Sequence, residues 1–264
     1  MIPDFESKRI INISCRFNNH KFYFDCFSGD FQTKVLSRGE VWERHIASFI
    51  LNINSSLVFF DIGANIGFHS IFLEKLSKKE NTIIAVEPHP NILHVLKKNR
   101  TQNSCKFHIV EAACLDAPGY VYMNSALARD TGDTFITSGD VKIPTVTIDD
   151  LADNFGHPNI IKMDIQGFEA DAILGARKTI ERGGLNFLIE FHPKLAKRSS
   201  KDLISSISLF ESYGYKPYFF RAHPWHAVAE LDYDILKSIY KIWHENDLSG
   251  MDLVFSQSVR RKNS

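Results

Sequence analysis

The stretch L-V-F-F-D-I-G-A-N-I-G, Leu57 to Gly67, decides the fold. Four apolar residues, Leu57, Val58, Phe59 and Phe60, lead to a single carboxylate, Asp61, and Gly63 and Gly67 follow. Ile71, Phe72 and Leu76 then fall at helical spacing. A buried strand that breaks into a glycine turn and a helix opens a mononucleotide-type site in an open α/β sheet.

The same alternation continues downstream. Ile83 to Val86 is a buried strand with Glu87 at its end, and Pro88 and Pro90 open the next helix, where proline costs little. Lys106 to Ala113 is a third strand carrying Glu111, and Asn159 to Phe168 a fourth that ends in Asp164. Leu185 to Phe191 is a fifth, with Glu190 near its end and His192 beyond it. Tyr215 to Phe220 and Met251 to Gln257 complete the set, with helices at Ser199 to Tyr213 and Asp234 to His244. This pattern predicts an α/β fold: a doubly wound, mostly parallel, seven-stranded Rossmann-like sheet with helices on both faces. Ahead of it, Ile10 to Phe27 alternates as a hairpin about Asn18-Asn19, and Gly39 to Ile50 reads as an amphipathic helix. Tyr120 to Met123 and Val141 to Ile148 are extra strands enclosing a polar loop, Asn124 to Asp140. Without a linker rich in Pro, Gly or Ser, the expected division is a hairpin-and-helix extension over residues 1–50 packed on one domain over 51–264.

Bulk composition narrows the function. The 31 basic and 31 acidic residues cancel, so charge suggests neither a nucleic-acid nor an anionic-membrane surface, and Arg260 to Lys262 reads as a solvated terminus. The charged N-terminus lacks the apolar core of a signal peptide, and no run approaches the ~18 apolar residues of a membrane span. Cys15, Cys26, Cys105 and Cys114 show no C-x-x-C spacing and read as reduced thiols, which points to a cytoplasmic protein.

Asp61, Glu87, Glu111, Asp164 and Glu190 thus lie at or near the carboxyl ends of consecutive strands, the rim where open α/β sheets bind ligands. Glu87, 20 residues past Gly67, is placed to accept hydrogen bonds from both ribose hydroxyls of an adenosyl ligand. The turn reads D-x-G-x-N-x-G, not G-x-G-x-x-G. An acid ahead of the first glycine repels a pyrophosphate and suits a ligand carrying an ammonium and a sulfonium, S-adenosylmethionine. An NAD(P)-binding oxidoreductase and a non-catalytic binding protein on the same fold are the competing readings; Asp61 and the missing third glycine count against the first.

Five stretches together resemble the FkbM-type, class I S-adenosylmethionine-dependent methyltransferases. They are Phe60 to Ser70 (FDIGANIGFHS), Val86 to Pro90 (VEPHP), Val146 to Leu151 (VTIDDL), Ile161 to Glu169 (IKMDIQGFE) and Leu188 to His192 (LIEFH), and Gly39 to Glu43 (GEVWE) is similar to the segment before the family's central strand. The resemblance implies that Asp61, Gly63, Asn65 and Gly67 cradle the methionine end of the cofactor. It implies that Glu87 holds the ribose, and that Glu111 and the backbone near Ala112 border the adenine. It further implies O-methylation of a hydroxyl on a sugar, glycolipid or secondary metabolite. Gln166 departs from the pattern, since the family usually carries an acid there.

Methyl transfer to a hydroxyl requires collinear, desolvated reactants and the loss of a proton. Asp164 is the first candidate for base or substrate anchor, followed by His192 and Glu190. A divalent metal held by Asp164 and a second acid is the lesser alternative to a base, and no paired-histidine or two-histidine-one-carboxylate spacing supports it, so no metal ligand is assigned. The H-P-W-H segment, His223 to His226, reads as packing or a substrate lid.

Overall fold

The computed structural model describes residues 8–127, 131, 136–137, 139–220, 228–246 and 251–257. Strands β1 (Ile10–Phe17) and β2 (His20–Phe27) pair antiparallel. Asn18 and Asn19 between them take the left-handed backbone that a two-residue hairpin turn demands. Helices α1 (Phe31–Ser37) and α2 (Arg44–Leu51) lead into β3 (Val58–Ile62), followed by α3 (Phe68–Leu76), β4 (Thr82–Val86), α4 (Pro90–Gln102) and β5 (His108–Val110). A small separate sheet comes next, from β6 (Ala113–Cys114), β7 (Gly119–Met123), β8 (Ile136–Thr137) and β9 (Val141–Val146). The chain returns through α5 (Ile148–Phe155), β10 (Ile160–Met163), α6 (Glu169–Leu174), α7 (Arg177–Arg182) and β11 (Asn186–Phe191). It finishes with α8 (Leu203–Ser212), β12 (Lys216–Phe220), β13 (Val228–Glu230), α9 (Tyr233–Glu245) and β14 (Met251–Ser256).

Among the described residues the main sheet runs β13-β12-β14-β11-β10-β3-β4-β5. The five strands from β11 to β5 are parallel, and β14, β12 and β13 join antiparallel. The sheet therefore has eight strands where seven are predicted. The addition is β13, a three-residue edge strand too short to show in the pattern. From β3 the chain steps outward through β4 to β5, then returns to the other flank of β3 as β10. Strand order reverses between β3 and β10, so the loops after Ile62 and Met163 border one crevice.

Side-chain alternation divides each core strand between two layers. Phe59, Ile83, Ala85 and Ile160 face the hairpin and α2–α4, while Phe60, Ile84, Ile161 and Met163 face α5–α9. Burial on both faces is why these strands read as unbroken apolar runs.

Several boundaries shift for local reasons. The predicted third strand stops at Val110, and Ala113–Cys114 pairs with β9 in the small sheet. The strand predicted to Ile148 stops at Val146 because Thr147 caps α5: its hydroxyl accepts from Asp150 N–H at 2.9 Å and Asp150 accepts from Thr147 N–H at 3.2 Å. Ser199 gives its hydroxyl to Asp171, and Asp202 caps α8 by accepting from Ser205 N–H. Helix α1 has no sequence expectation. The tail after 257, residues 247–250, His223 to His226 and much of the Asn124–Asp140 loop lie outside the described residues.

The hairpin packs directly on the site-forming helices. Phe22 lies 5.5 Å from Phe72 and Phe24 5.6 Å from Phe68, centroid to centroid. Buried Asn99 of α4 accepts from Asp25 N–H at 2.7 Å and donates to the carbonyls of Asp25 (3.0 Å) and Ile66 (2.9 Å), so one amide joins the hairpin to the glycine turn. Asn99→Ala strands these buried groups and is expected to cost about 2–4 kcal/mol. Chemical denaturation measures this, and an unchanged midpoint would show that the amide does not secure the hairpin.

Candidate active site

The turn after β3 is pinned to its neighbours. Gly63 and Ala64 donate their N–H groups to the Val86 carbonyl at 2.9 and 3.0 Å. Gly63 has φ +76°, and a Cβ there would sit 1.9 Å from the Asp164 carbonyl oxygen. Only glycine lets the turns after β3 and β10 meet this closely.

Beneath the turn, Asp61 is buried; its Oδ2 accepts from the Ser70 hydroxyl at 2.7 Å, while Oδ1 has no partner. The Asn65 Oδ1 is likewise buried and unpaired. Two orphaned acceptors at the mouth of a strand are acceptors awaiting a donor. Glu87 at the end of β4 accepts from Asn65 N–H (3.0 Å) and His89 N–H (2.9 Å), one on each oxygen. Burial pushes its carboxyl up to about 7 against these two hydrogen bonds. A pocket runs over this row, lined by Gly63, Asn65, Glu87, Ala112, Met123 and Asp164. Thr131 closes part of its wall and is bonded through its hydroxyl to Asp30 at the end of the hairpin layer.

Glu111 is not in this pocket. Its carboxylate is half exposed, pairs with Lys97 at 2.6 Å and faces a separate groove with Leu93 and Pro144. Strand β5 ends at Val110, and Ala112 and Ala113, not Glu111, line the pocket wall.

At the other end of the pocket the acids gather. Asp164 follows β10, and Glu190 and His192 lie at the end of the adjacent β11. His192 Nε2 stands 3.4 Å from Glu190 Oε1 and 3.7 Å from Asp164 Oδ1. Its Nδ1 lies 3.0 Å from Oε1 of Glu169, which is fully buried. The Gln166 amide nitrogen sits 3.0 Å from Asp164 Oδ1 and 3.2 Å from His192 Nε2. Burial raises the Glu190 carboxyl to about 7, helped by the Asp164 charge. Burial opposes protonation of His192, but Glu169, Glu190 and Asp164 raise it well above its ordinary value.

Lys162, within β10 and buried, reaches within 3.7 Å of Asp164 Oδ2. Burial acts against its charge, and Asp164, Glu43, Asp61 and Glu190 together hold it on. Glu43 is held down to about 2, because Lys162 and a 2.7 Å contact with His69 Nε2 outweigh its burial. Glu43 and His69 carry no sequence expectation of their own. Glu43 stands in GEVWE with a left-handed backbone, φ 41°, one residue before α2, and only that segment's resemblance hinted at it.

The geometry thus presents one crevice, with a pocket over the turn after β3 at one end and a cluster of acids around His192 at the other. The sequence model described as the methyltransferase FkbM domain matches residues 61–217, more than half of the chain. The chain belongs to the FkbM methyltransferase family. It is similar to hexuronic acid methyltransferase AglP of Haloferax volcanii, 26% identical over 156 residues that cover 58% of this chain. The match spans 63% of that relative's length. Among solved structures it is similar to a methyltransferase FkbM from Methylobacillus flagellatus KT (TM-score 0.47, 21% identity, covering 76% of this chain and 43% of that one). It is also similar to precorrin-6y C5,15-methyltransferase from Geobacter metallireducens GS-15 (TM-score 0.44, 14% identity, covering 81% and 87%).

The cofactor of the FkbM methyltransferase family is S-adenosylmethionine, and the residues present fit it. Unpaired Asp61 and Asn65 oxygens suit a cationic amino-acid end, and each Glu87 oxygen keeps a lone pair for a hydroxyl. Gly63→Ala forces a methyl into the Asp164 carbonyl and is expected to destabilise the protein by about 2–4 kcal/mol. A wild-type denaturation midpoint for that variant would mean that the two turns do not need to touch.

Proposed function

We propose that the protein transfers a methyl group from S-adenosylmethionine to a hydroxyl of a sugar or sugar-bearing acceptor. The observation that carries this reading is the position of Asp164, which walls the cofactor pocket and also faces His192 and Glu190. The hexuronic acid named for the Haloferax volcanii relative supports a sugar as the acceptor class.

In this reading Asp61, Gly63, Asn65 and Gly67 hold the methionine end, Glu87 accepts from the ribose hydroxyls, and the Ala112 backbone borders the adenine. S-adenosylmethionine, when bound, supplies a methyl group on a positively charged sulfur. Asp164 anchors the acceptor hydroxyl at the end of the pocket, in line with the delivered methyl. The Asp164–Glu190–His192 cluster would take up the hydroxyl proton as that oxygen is methylated. Glu169 fixes the orientation of His192 from behind.

Labelled S-adenosylmethionine incubated with uronic acids, neutral sugars and a cell extract, followed by mass spectrometry, tests the transfer; no labelled sugar in any of them would sink the acceptor class. S-adenosylhomocysteine at millimolar concentration should raise the melting temperature, and NAD should not. The reverse pattern would replace the methyltransferase reading with an oxidoreductase.

Glu87 also sets a pH dependence. Its carboxyl carries a proton below about pH 7 and a charge above it, and ribose hydroxyls bond best to the charged form. Affinity for S-adenosylhomocysteine should rise with pH and level off above 7, about tenfold weaker at pH 6 than at pH 8. Glu87→Gln should weaken binding and flatten the profile, whereas a flat wild-type profile would remove Glu87 from the ribose. Asp164→Asn should leave S-adenosylhomocysteine affinity near wild type and abolish transfer. Equal loss of both would move Asp164 to the cofactor side.

A further inference from the structure

Asp164, Glu190 and His192 offer one ligand atom each, all within 4.8 Å of one another. Three atoms sharing an ion at bonds of roughly 2.1 Å sit about 3.0–3.4 Å apart. The 3.4 and 3.7 Å separations around His192 Nε2 therefore need only a slight contraction. A second feature points the same way. The Glu169 carboxylate, fully buried and 3.0 Å from His192 Nδ1, orients the ring so that Nε2 faces the two acids. This is the carboxylate–histidine backing found behind metal-bound imidazoles.

Acids predominate locally as well, and His192 binds the ion as the neutral ring. Glu43, Asp61, Asp164, Glu169 and Glu190 converge on the carboxyl edge of β3, β10 and β11, and Lys162 is the lysine buried among them. Lys162 takes Asp164 Oδ2 and leaves Oδ1 turned toward His192. Gln166 lies between Asp164 and His192 with its amide nitrogen inward; a half-turn of the amide presents its oxygen as a fourth donor.

We propose that Asp164, Glu190 and His192 form a binding site for one divalent first-row metal cation, with Glu169 positioning the histidine. Two carboxylates and one imidazole with open positions are a donor set for such ions. The site adjoins the pocket end where Asp164 stands, so an open position faces an acceptor oxygen. Coordination there makes the hydroxyl easier to deprotonate and fixes its direction. That last role rests on the methyltransferase reading; the binding of the cation does not.

The test is a titration of the chelator-treated full chain with Mn²⁺, followed by calorimetry and by the loss of the free-ion resonance signal. One saturable ion per chain is expected, lost in Glu190→Gln and in Asp164→Asn and weakened about 10–100-fold in Glu169→Gln. Glu190 lies at the partly exposed rim, so Glu190→Gln is the variant least disturbing to folding. Melting and S-adenosylhomocysteine binding of each variant show that it is folded. No saturable Mn²⁺ in the wild type, or a stoichiometry unchanged in folded Glu190→Gln, overturns the proposal. S-adenosylhomocysteine binding without Mn²⁺ binding removes the metal and leaves the methyltransferase reading intact. Mn²⁺ binding without S-adenosylhomocysteine binding keeps the site and removes that reading.

Discussion

Lys162 is a buried ammonium in a sheet whose carboxyl edge would otherwise be crowded with uncompensated acids. Moving a charge out of water costs several kcal/mol, so Lys162 stays charged only because Asp164, Glu43, Asp61 and Glu190 surround it. The dependence is mutual, since Lys162 is the leading charge that holds Glu43 ionised. Each of these acids comes from a different part of the chain: the segment before α2, β3, the turn after β10 and β11. Lys162 therefore ties the N-terminal layer, the end of β3 and the Asp164–Glu190 cluster into a single electrostatic unit.

The close approach of the turns after β3 and β10 gives that unit its shape. Gly63 against the Asp164 carbonyl brings the glycine turn after β3 to the start of the loop that carries the acid cluster. Asp164 is shared by both halves, its Oδ1 toward His192 and its Oδ2 toward Lys162. Asp164 thus both lines the pocket beside Gly63 and Glu87 and faces the His192 cluster. The hairpin contributes from outside the sheet, through Asn99 to the glycine turn and through Asp30 to Thr131 on the pocket wall.

What could be read along the chain was whatever depends on neighbours in sequence. Apolar runs ended by an acid placed Asp61, Glu87, Asp164 and Glu190 on one rim, because parallel strands buried on both faces must be apolar throughout and release their first polar residue at the carboxyl end. The glycine pattern and Asp61 distinguished a sulfonium donor from a dinucleotide. Glu111 sits apart from those four, since β5 ends at Val110 and its carboxylate is an exposed partner of Lys97. Strand β13 and helix α1 were too short or too weakly periodic to stand out.

Tertiary structure alone decided which acids share a site. Glu43 meets Lys162, and His192 meets Glu169 behind and Asp164 and Glu190 in front, only after strand order reverses between β3 and β10. Spacing along the chain could not show that Asp164, Glu190 and His192 meet, because they stand at the ends of two parallel strands joined by a helical crossover. The sequence by itself determined a cofactor-binding α/β sheet with acids along one rim, since burial and turn chemistry are local. The pairing of those acids into a charged cluster belongs to the fold, since Coulomb interactions are set by distance in space.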